Sequence, residues 1–360
     1  MVSWNFQLTG VRVKNLDDHP TVRAVRARQE TPAGPVLDAE ALRETCRAAG
    51  ADDVGFVAVD DPAVAADRER AGWVLPGART YLAFVLRMNP DSVRSPARSI
   101  ANTEFHQTGE DVDRVARRIA AAVRDLGHRA LNPPATFPQE MEHFGRQAWV
   151  IQLKTVAVAA GLGAMGIHRN VIHPRFGNFV LLGVVLTDAA VSEPTTPLTY
   201  NPCLECKLCV SACPVGAIGK DGSFDLGACY THNYREFMTG FTDLLQTVAD
   251  SADAADFRSR VSDTEALSWW QSLAYKPNYK AAYCMAACPA GEDVIGPYLD
   301  DRKEFRDRVV TPLRDKVEPV YVQPGSSAES YTSSRFPHKR VRHVDNGIRR
   351  PARKESIVDQ

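Results

Sequence analysis

The sequence predicts an α+β protein with two main units, an α/β layer domain followed by a smaller cysteine-rich unit. Segments with helical and strand periodicity alternate before residue 190. Seven of the eight cysteines fall between Cys203 and Cys288, and only Cys46 lies elsewhere. We therefore expect four regions: an extended N-terminal arm at 1–36, the layer domain at 37–194, the cysteine-rich unit at 195–300, and a C-terminal extension with a basic tail at 301–360.

Hydrophobic periodicity places the elements of the layer domain. A helix should begin after Asp38, a good N-cap residue, and end at Gly50. Cys46 lies on the apolar face of this helix, which indicates a core thiol. The remaining predicted elements are a strand at 54–59, a strand at 78–88, a helix at 108–127, a helix at 146–160 and a strand at 179–186.

Composition narrows the class of protein. The 44% hydrophobic and 24% charged residues are globular values, and a net charge of −1 makes nucleic acid an unlikely partner. No apolar run is long enough to cross a bilayer, and the start at Met1–Asn5 lacks the pattern of a secretory signal. We expect a cytoplasmic protein without a membrane partner, in which the thiols are kept reduced.

The cysteines form a recognisable spacing. Residues 203–214 read C-x2-C-x2-C-x3-C-P, in which three thiolates hold one iron–sulfur cube and the fourth ligates a different cluster. Structural zinc usually takes two separated C-x2-C pairs, so the pattern favours iron–sulfur. A second C-x3-C-P run occupies residues 284–289. The predicted ligands of the first cluster, a [4Fe–4S] cluster, are Cys203, Cys206, Cys209 and Cys288.

Three cysteines remain as candidate ligands of the second cluster, namely Cys213, Cys284 and the isolated Cys229. A second motif of this kind normally has a further cysteine three residues before Cys284, where this chain has Ala281. The cluster is therefore either [3Fe–4S] or a [4Fe–4S] cluster with another fourth ligand. His232 is the nearest candidate, because imidazole can replace thiolate on iron. The alternative is a surface or hydrogen-bonded histidine.

A glycine-rich segment precedes the cysteines. Gly161, Gly163 and Gly166 match G-x-G-x-x-G, but they follow a predicted helix rather than a strand, which does not favour dinucleotide binding. His168 and Arg169 come directly after them. We interpret the segment as a candidate loop for a cofactor or an anionic substrate. A solvated, salt-bridged loop is the alternative.

This glycine loop, the Pro-Arg-Phe-Gly at 174–177, the strand ending in Thr187-Asp188 and the cysteine motifs together resemble the epoxyqueuosine reductase and reductive dehalogenase superfamily. The resemblance spans about residues 38–300. It implies a nitroreductase-like domain that holds a corrinoid (cobalamin), with the loop residues named above beside it. It also implies a bacterial ferredoxin-like domain with two clusters. Such a reductase would take electrons from a ferredoxin or flavodoxin and act on a small-molecule substrate; flavin is a less favoured cofactor.

The resemblance further implies a proton donor beside the corrinoid. Glu104-Phe105-His106 occupies a place similar to an Asp-Tyr-His segment of the queuosine enzymes, just before the helix predicted at 108. Glu104 would be the acid if burial raises its pKa, and His106 would assist it. The alternative for Glu104 is an exposed loop carboxylate.

Departures from the family pattern point to a divergent member. Ala281 removes an expected ligand, and no helical-repeat tRNA-binding extension is expected after residue 300. Two other functions stay open. One is a cobalt-free, ferredoxin-type electron-transfer protein, and the other is a non-catalytic corrinoid-handling protein.

Overall fold

The computed structural model describes residues 15–27, 36–135, 137–140, 149–233, 239–276 and 283–344. The chain divides into two compact units, residues 1–34 and residues 35–360. The described part of the first unit holds a 3₁₀ turn at Leu16–Asp18 and helix α1 at Pro20–Ala27. Ion pairs join Arg23 to Asp18 and Arg26 to Asp17. This part of the predicted extended arm is therefore helical.

In the second unit, helices and strands alternate before the cysteines, as predicted. The elements are β1 (Val36–Leu37), α2 (Ala39–Ala48), β2 (Asp53–Ala58), a 3₁₀ helix (Pro62–Asp67), α3 (Arg68–Val74), β3 (Thr80–Arg87), α4 (Pro90–Arg94), α5 (Arg98–Asp125), β4 (Ala130–Leu131), α6 (Leu153–Ala159), β5 (Ala164–Met165), β6 (Val171–Ile172), β7 (Val180–Thr187) and β8 (Ala190–Val191). The mixed α+β class is confirmed.

A four-stranded antiparallel sheet, in the order β2-β3-β7-β4, forms the centre of this region. Successive side chains of β3 point to opposite faces of the sheet. Tyr81 and Ala83 join the core that includes residues of α6, whereas Leu82 and Phe84 join the core that includes α2 and α5. Because helices cover both faces, β3 is apolar almost throughout rather than alternating.

One predicted helix start was wrong, and another lies outside the described residues. Helix α5 begins at Arg98 rather than at residue 108, because its first turns bury Arg98, Ala101 and Thr108, which carry no apolar periodicity. The helix predicted at 146–160 begins at Leu153 within the described residues; its proposed start at residue 146 lies outside them. By contrast, α2 has the predicted cap, since the Asp38 carboxylate accepts a hydrogen bond from the Ala41 amide.

The region from residue 208 onwards is mainly helical. The elements are α7 (Leu208–Ala212), α8 (Leu226–Asn233), α9 (Thr239–Ala249), α10 (Ala254–Arg260), α11 (Asp263–Ala274), α12 (Tyr283–Ala286), α13 (Gly296–Asp300), α14 (Arg302–Phe305), a π-helical turn (Arg306–Val310), α15 (Thr311–Asp315), β9 (Pro319–Val322), α16 (Ser327–Arg335) and β10 (Arg340–His343). Strands β9 and β10 pair in parallel. Val320, Val322 and Ala328 pack in one cluster with Cys209 and Cys213, so the C-terminal extension forms part of the wall around the cysteines.

No helix in the described part of the chain has the length and apolar character needed to cross a membrane. The predicted domain boundaries, and the nitroreductase-like and ferredoxin-like details of the two domains, stay predictions.

Candidate metal centre

The first cysteine motif lies in a loop whose backbone curls tightly. Glu205 and Lys207 adopt left-handed conformations, with φ of 49° and 62°, and helix α7 starts directly afterwards. The Asn201 side chain fixes the start of the loop, because its carbonyl accepts the Cys203 amide at 2.9 Å and its amide donates to the Met165 carbonyl at 3.1 Å. The curl turns cysteines that are three residues apart toward a common centre.

The four cysteines predicted for the first cluster line one small cavity that is partly open to solvent. Three of them come from the loop, and the fourth, Cys288, lies 79 residues after Cys209 in the chain. Cys209 and Cys288 are buried, and Cys203 and Cys206 are partly exposed. The cavity is therefore surrounded by thiols from both cysteine motifs.

The three cysteines predicted for the second cluster also lie near one another. Burial raises the pKa of the Cys229 thiol, and the charges of Cys284 and Cys213 raise it further. Burial likewise raises the pKa of Cys284 to about 12, with Cys213 adding to the shift. Cys284 is also within electrostatic range of Cys209 and Cys288, so the two groups of cysteines adjoin.

The chemistry of these thiols fits an iron–sulfur cluster. Buried thiolates that repel one another become stable when a cationic metal replaces their protons. Burial raises the pKa of Cys213, whereas backbone amides of residues 215–218 donate hydrogen bonds to its sulfur and oppose the shift. Such amides commonly stabilise cluster thiolates. Among the residues that the structure describes, no group of three or more His, Cys, Asp or Glu side chains is arranged to hold a single metal ion.

The structure places His232, the predicted fourth ligand of the second cluster, in α8 one turn after Cys229. Its side chain is fully buried, and its Nδ1 accepts a hydrogen bond from the Tyr321 amide of β9 at 3.3 Å. Iron could therefore be bound only through Nε2. Ala281 lies outside the described residues, and the fourth ligand stays a prediction.

The glycines of the predicted cofactor loop pack closely against protein atoms. A Cβ atom on Gly161, whose φ is +74°, would lie 2.4 Å from the Thr196 carbonyl oxygen. A Cβ on Gly163 would lie 2.6 Å from the Ile172 carbonyl oxygen. These contacts account for the glycines without a ligand. Arg169 is exposed and donates to the Gly222 carbonyl at 3.1 Å.

His168 differs from its neighbours because it is buried and lines the same cavity as the four cysteines of the first group. Burial, together with the charge of Lys154, lowers the pKa of His168 to about 4. The imidazole is therefore neutral at pH 7. The other histidine of this region, His173, binds Asp53 at 3.0 Å and accepts amide hydrogen bonds from Arg175 and Phe176, which is a structural role.

The sequence predicted Glu104 and His106 just before a helix. The structure instead places both residues inside helix α5. The Glu104 carboxylate is partly buried and accepts the Asn89 amide at 2.7 Å, at the start of α4. The His106 ring packs edge-on against Phe105. Glu104 therefore has a structural task in joining α4 to α5, and the catalytic role of both residues stays a prediction.

Two cations near the cysteines escaped sequence analysis. Arg94 donates to the Cys288 carbonyl at 3.2 Å, and its guanidinium lies over the rings of Phe179 and Phe305. Lys154 lies within electrostatic range of Cys229 and Cys284, and its ammonium donates to the Arg169 carbonyl at 2.6 Å. The sequence held one signal, because Lys154 is the only charged residue between positions 147 and 168.

Comparison with known proteins agrees with the resemblance found in the sequence. The epoxyqueuosine reductase of Gloeobacter violaceus is 30% identical over 170 residues, which cover 44% of this chain and 47% of that protein. The chain thus matches about half the length of that relative. No family model matches. The predicted resemblance is confirmed, and the low identity fits a divergent chain that is similar to the epoxyqueuosine reductases over this part of its length.

Solved structures give weaker similarity. A reductive dehalogenase, described as suggesting a mechanism for B12-dependent dehalogenation, has 15% identity and a TM-score of 0.46, covering 87% of this chain and 39% of that one. An epoxyqueuosine reductase solved with an epoxyqueuosine-modified tRNA stem loop has 13% identity and a TM-score of 0.38, covering 83% and 89%.

Proposed function

We propose that this protein is an iron–sulfur reductase that passes electrons through two clusters to an acceptor held by the region before residue 195. One observation carries the proposal: cysteines from two distant motifs line a single cavity, and a second group of three adjoins it. The first cluster would be held by Cys203, Cys206, Cys209 and Cys288. The second would be held by Cys213, Cys229 and Cys284, with His232 as the candidate fourth ligand.

The protein around the two clusters would allow electrons to pass directly from one cluster to the other. Cys284 and Cys288 belong to one motif and would bind different clusters, so the second cysteine segment would connect the two. Apolar packing by Val215, Ile218 and Val320 keeps water away from this region. Exclusion of water and backbone hydrogen bonds to sulfur are the means by which a protein sets cluster potentials.

The acceptor is proposed on the resemblance to corrinoid-dependent reductases. A corrinoid, when bound, supplies a low-valent cobalt that performs the reductive chemistry. The glycines at 161, 163 and 166 offer no open cradle for it, since each already abuts protein atoms. We therefore propose corrinoid binding for the region as a whole and assign no contact to these glycines.

The proposed partners are a ferredoxin or flavodoxin as electron donor and a substrate to be reduced. The sequence-based expectation that nucleic acid is an unlikely partner is not kept, because an epoxyqueuosine reductase has been solved with a modified tRNA stem loop. A tRNA carrying epoxyqueuosine is accordingly one substrate to test beside halogenated small molecules. Cytoplasmic location stays a prediction.

The test is the metal and cofactor content of the protein after anaerobic reconstitution. We expect about eight irons for two cubes, or about seven if the second cluster is [3Fe–4S], with EPR distinguishing these. Cys288→Ala should perturb the first cluster although it lies far from Cys203–Cys209 in sequence. Cys46→Ala, which alters a buried thiol of the helix–sheet core, is the matched control and should keep full iron content.

Two results would contradict the proposal. An intact first cluster in Cys288→Ala would show that the ligands do not exchange between the motifs. Full iron content without corrinoid uptake would instead favour the ferredoxin-type electron-transfer protein. Glu104, the predicted acid, would then keep only its structural role of accepting the Asn89 amide.

A further inference from the structure

His168 lies in the wall of the cavity surrounded by the first group of cysteines. Its side chain is only 4% exposed, and the same cavity is lined by Cys203, Cys206, Cys209 and Cys288. A histidine so enclosed keeps its polar atoms from solvent, and each of them needs a partner.

One ring nitrogen has its partner. The Asn170 amide donates to His168 Nδ1 at 3.1 Å, so Nδ1 carries a lone pair and the ring proton is on Nε2. Nε2 is buried and has no hydrogen-bond partner among the described residues. A buried N–H donor without an acceptor is unfavourable, and such a group calls for an explanation.

The surrounding turn holds the imidazole in this position. The Arg169 amide donates to the Gly166 carbonyl and the Gly166 amide donates to the Asn170 carbonyl, both at 2.9 Å, which closes the turn. A Cβ on Gly166 would lie 2.8 Å from Cε1 of His168, so only glycine leaves room for the ring. Lys154 ties the turn to α6 through the Arg169 carbonyl. The ring is therefore positioned by its backbone and is not a freely rotating side chain.

We propose that the Nε2–H of His168 donates a hydrogen bond to a sulfur atom of the first cluster and thereby raises its reduction potential. Reduction adds negative charge to a cluster, and a hydrogen bond to its sulfur stabilises the more negative state. This inference rests on the proposed function, because it needs a cluster on those four cysteines. His168 is a positioning residue that acts through the cluster and does not touch substrate.

Two variants separate this role from a purely structural one. In His168→Asn, the side-chain oxygen lies where Nδ1 was and can accept the Asn170 amide, but no donor reaches the position of Nε2. In His168→Gln, the amide nitrogen lies near the position of Nε2 and the acceptor at Nδ1 is lost. EPR-monitored redox titration of the reconstituted protein measures the potential, and the wave altered by Cys288→Ala identifies the first cluster.

We expect His168→Asn to change the ratio of reduced to oxidised first cluster at fixed potential by about tenfold, a downward shift of about 59 mV for one electron. His168→Gln should remain close to the wild type, and the second cluster should not shift in either variant. His173→Asn is the matched control. It alters a buried histidine whose two nitrogens are both engaged by protein groups, and it should leave the potential unchanged.

An unchanged potential in His168→Asn, or a shift in His168→Gln as large as that in His168→Asn, would overturn the proposal. Loss of the first cluster from both variants would assign His168 to cluster assembly and would also overturn it. If the wild-type protein binds no iron at the four cysteines, the proposed function itself is refuted. The iron content shows this before any variant is measured.

Discussion

Replacement of Lys339 by methionine should destabilise the protein strongly, although this residue lies near the C-terminal end of the described chain. Its side chain is 1% exposed, and its ammonium lies 3.3 Å from Glu318 Oε1. It also donates to the carbonyls of Leu313 and Lys316. The Tyr283 hydroxyl donates to the same carboxylate oxygen, so this buried network joins the C-terminal extension to the residue preceding Cys284.

The magnitude follows from what the variant leaves behind. The Glu318 side chain is 7% exposed, and it would retain its negative charge with only the partly exposed Lys316 at 3.6 Å to balance it. Loss of one partner of a buried ion pair costs about 3–5 kcal/mol, because the remaining charge is uncompensated. Removing both charges in Lys339→Met/Glu318→Gln should restore most of this loss, since the Tyr283 hydroxyl can still donate to the new amide.

Thermal unfolding of the reconstituted protein, followed by circular dichroism, measures the effect. A loss of this size lowers the midpoint by roughly 4–7 °C in a chain of 360 residues, because the entropy of unfolding grows with chain length. The control is Lys303→Met, which removes an exposed ion pair with Asp307 and should leave the midpoint unchanged. A Lys339→Met midpoint equal to that of the control would refute the reasoning, as would a double variant no more stable than the single one.

Three further outcomes are expected. Gly177→Ala should lower the unfolding midpoint and loosen the second cysteine run at 284–289, because the φ of Gly177 is +63° and a Cβ there would lie 1.9 Å from the carbonyl oxygen of Ala290, the residue after that run. Gly296→Ala, with open space around it, should have neither effect. Iodoacetamide should leave Cys46 unmodified at pH 8 in the folded protein, as mass spectrometry can show, since burial raises its pKa to about 12. Burial opposes ionisation of Asp188, but hydrogen bonding to Arg129 keeps the pKa of this carboxyl below its usual value. The ionised Asp188 therefore stabilises the fold fully above about pH 4, and this contribution is lost as the pH falls through the folded-state pKa. Asp188→Asn should therefore show a smaller loss of stability than the wild type in acid denaturation below pH 4.

The sequence predicted those features that depend on near neighbours in the chain. The Asp38 cap, helix α2 and the central strands are encoded by local periodicity and short-range hydrogen bonds. The grouping of the cysteines was also predictable, because a C-x2-C-x2-C-x3-C-P run leaves few ways to wrap a cluster. In the structure, Cys288 lines the same cavity as Cys203, although the two are far apart in the chain.

The features that sequence analysis missed depend on distant parts of the chain. Strand β9 is four residues long, and it pairs in parallel with β10 across helix α16. Its packing against Cys213 has no local signal, because only the folded chain brings the two together. The early start of α5 is similar, since the buried Arg98 donates through one guanidinium nitrogen to the Val93 and Ser95 carbonyls and no apolar pattern marks this start.

The glycine loop shows that close packing of protein atoms can by itself require a G-x-G-x-x-G spacing. Its spacing matches a phosphate-binding fingerprint, yet each glycine is required by a close approach of protein atoms: a carbonyl oxygen at Gly161, another at Gly163 and the His168 ring at Gly166. The third of these approaches connects the loop to the cysteines, because the ring that Gly166 admits lies in the wall of their cavity. A larger residue at 166 would displace the imidazole, so Gly166→Ala should reproduce the potential shift of His168→Asn while the His168 side chain itself is unaltered.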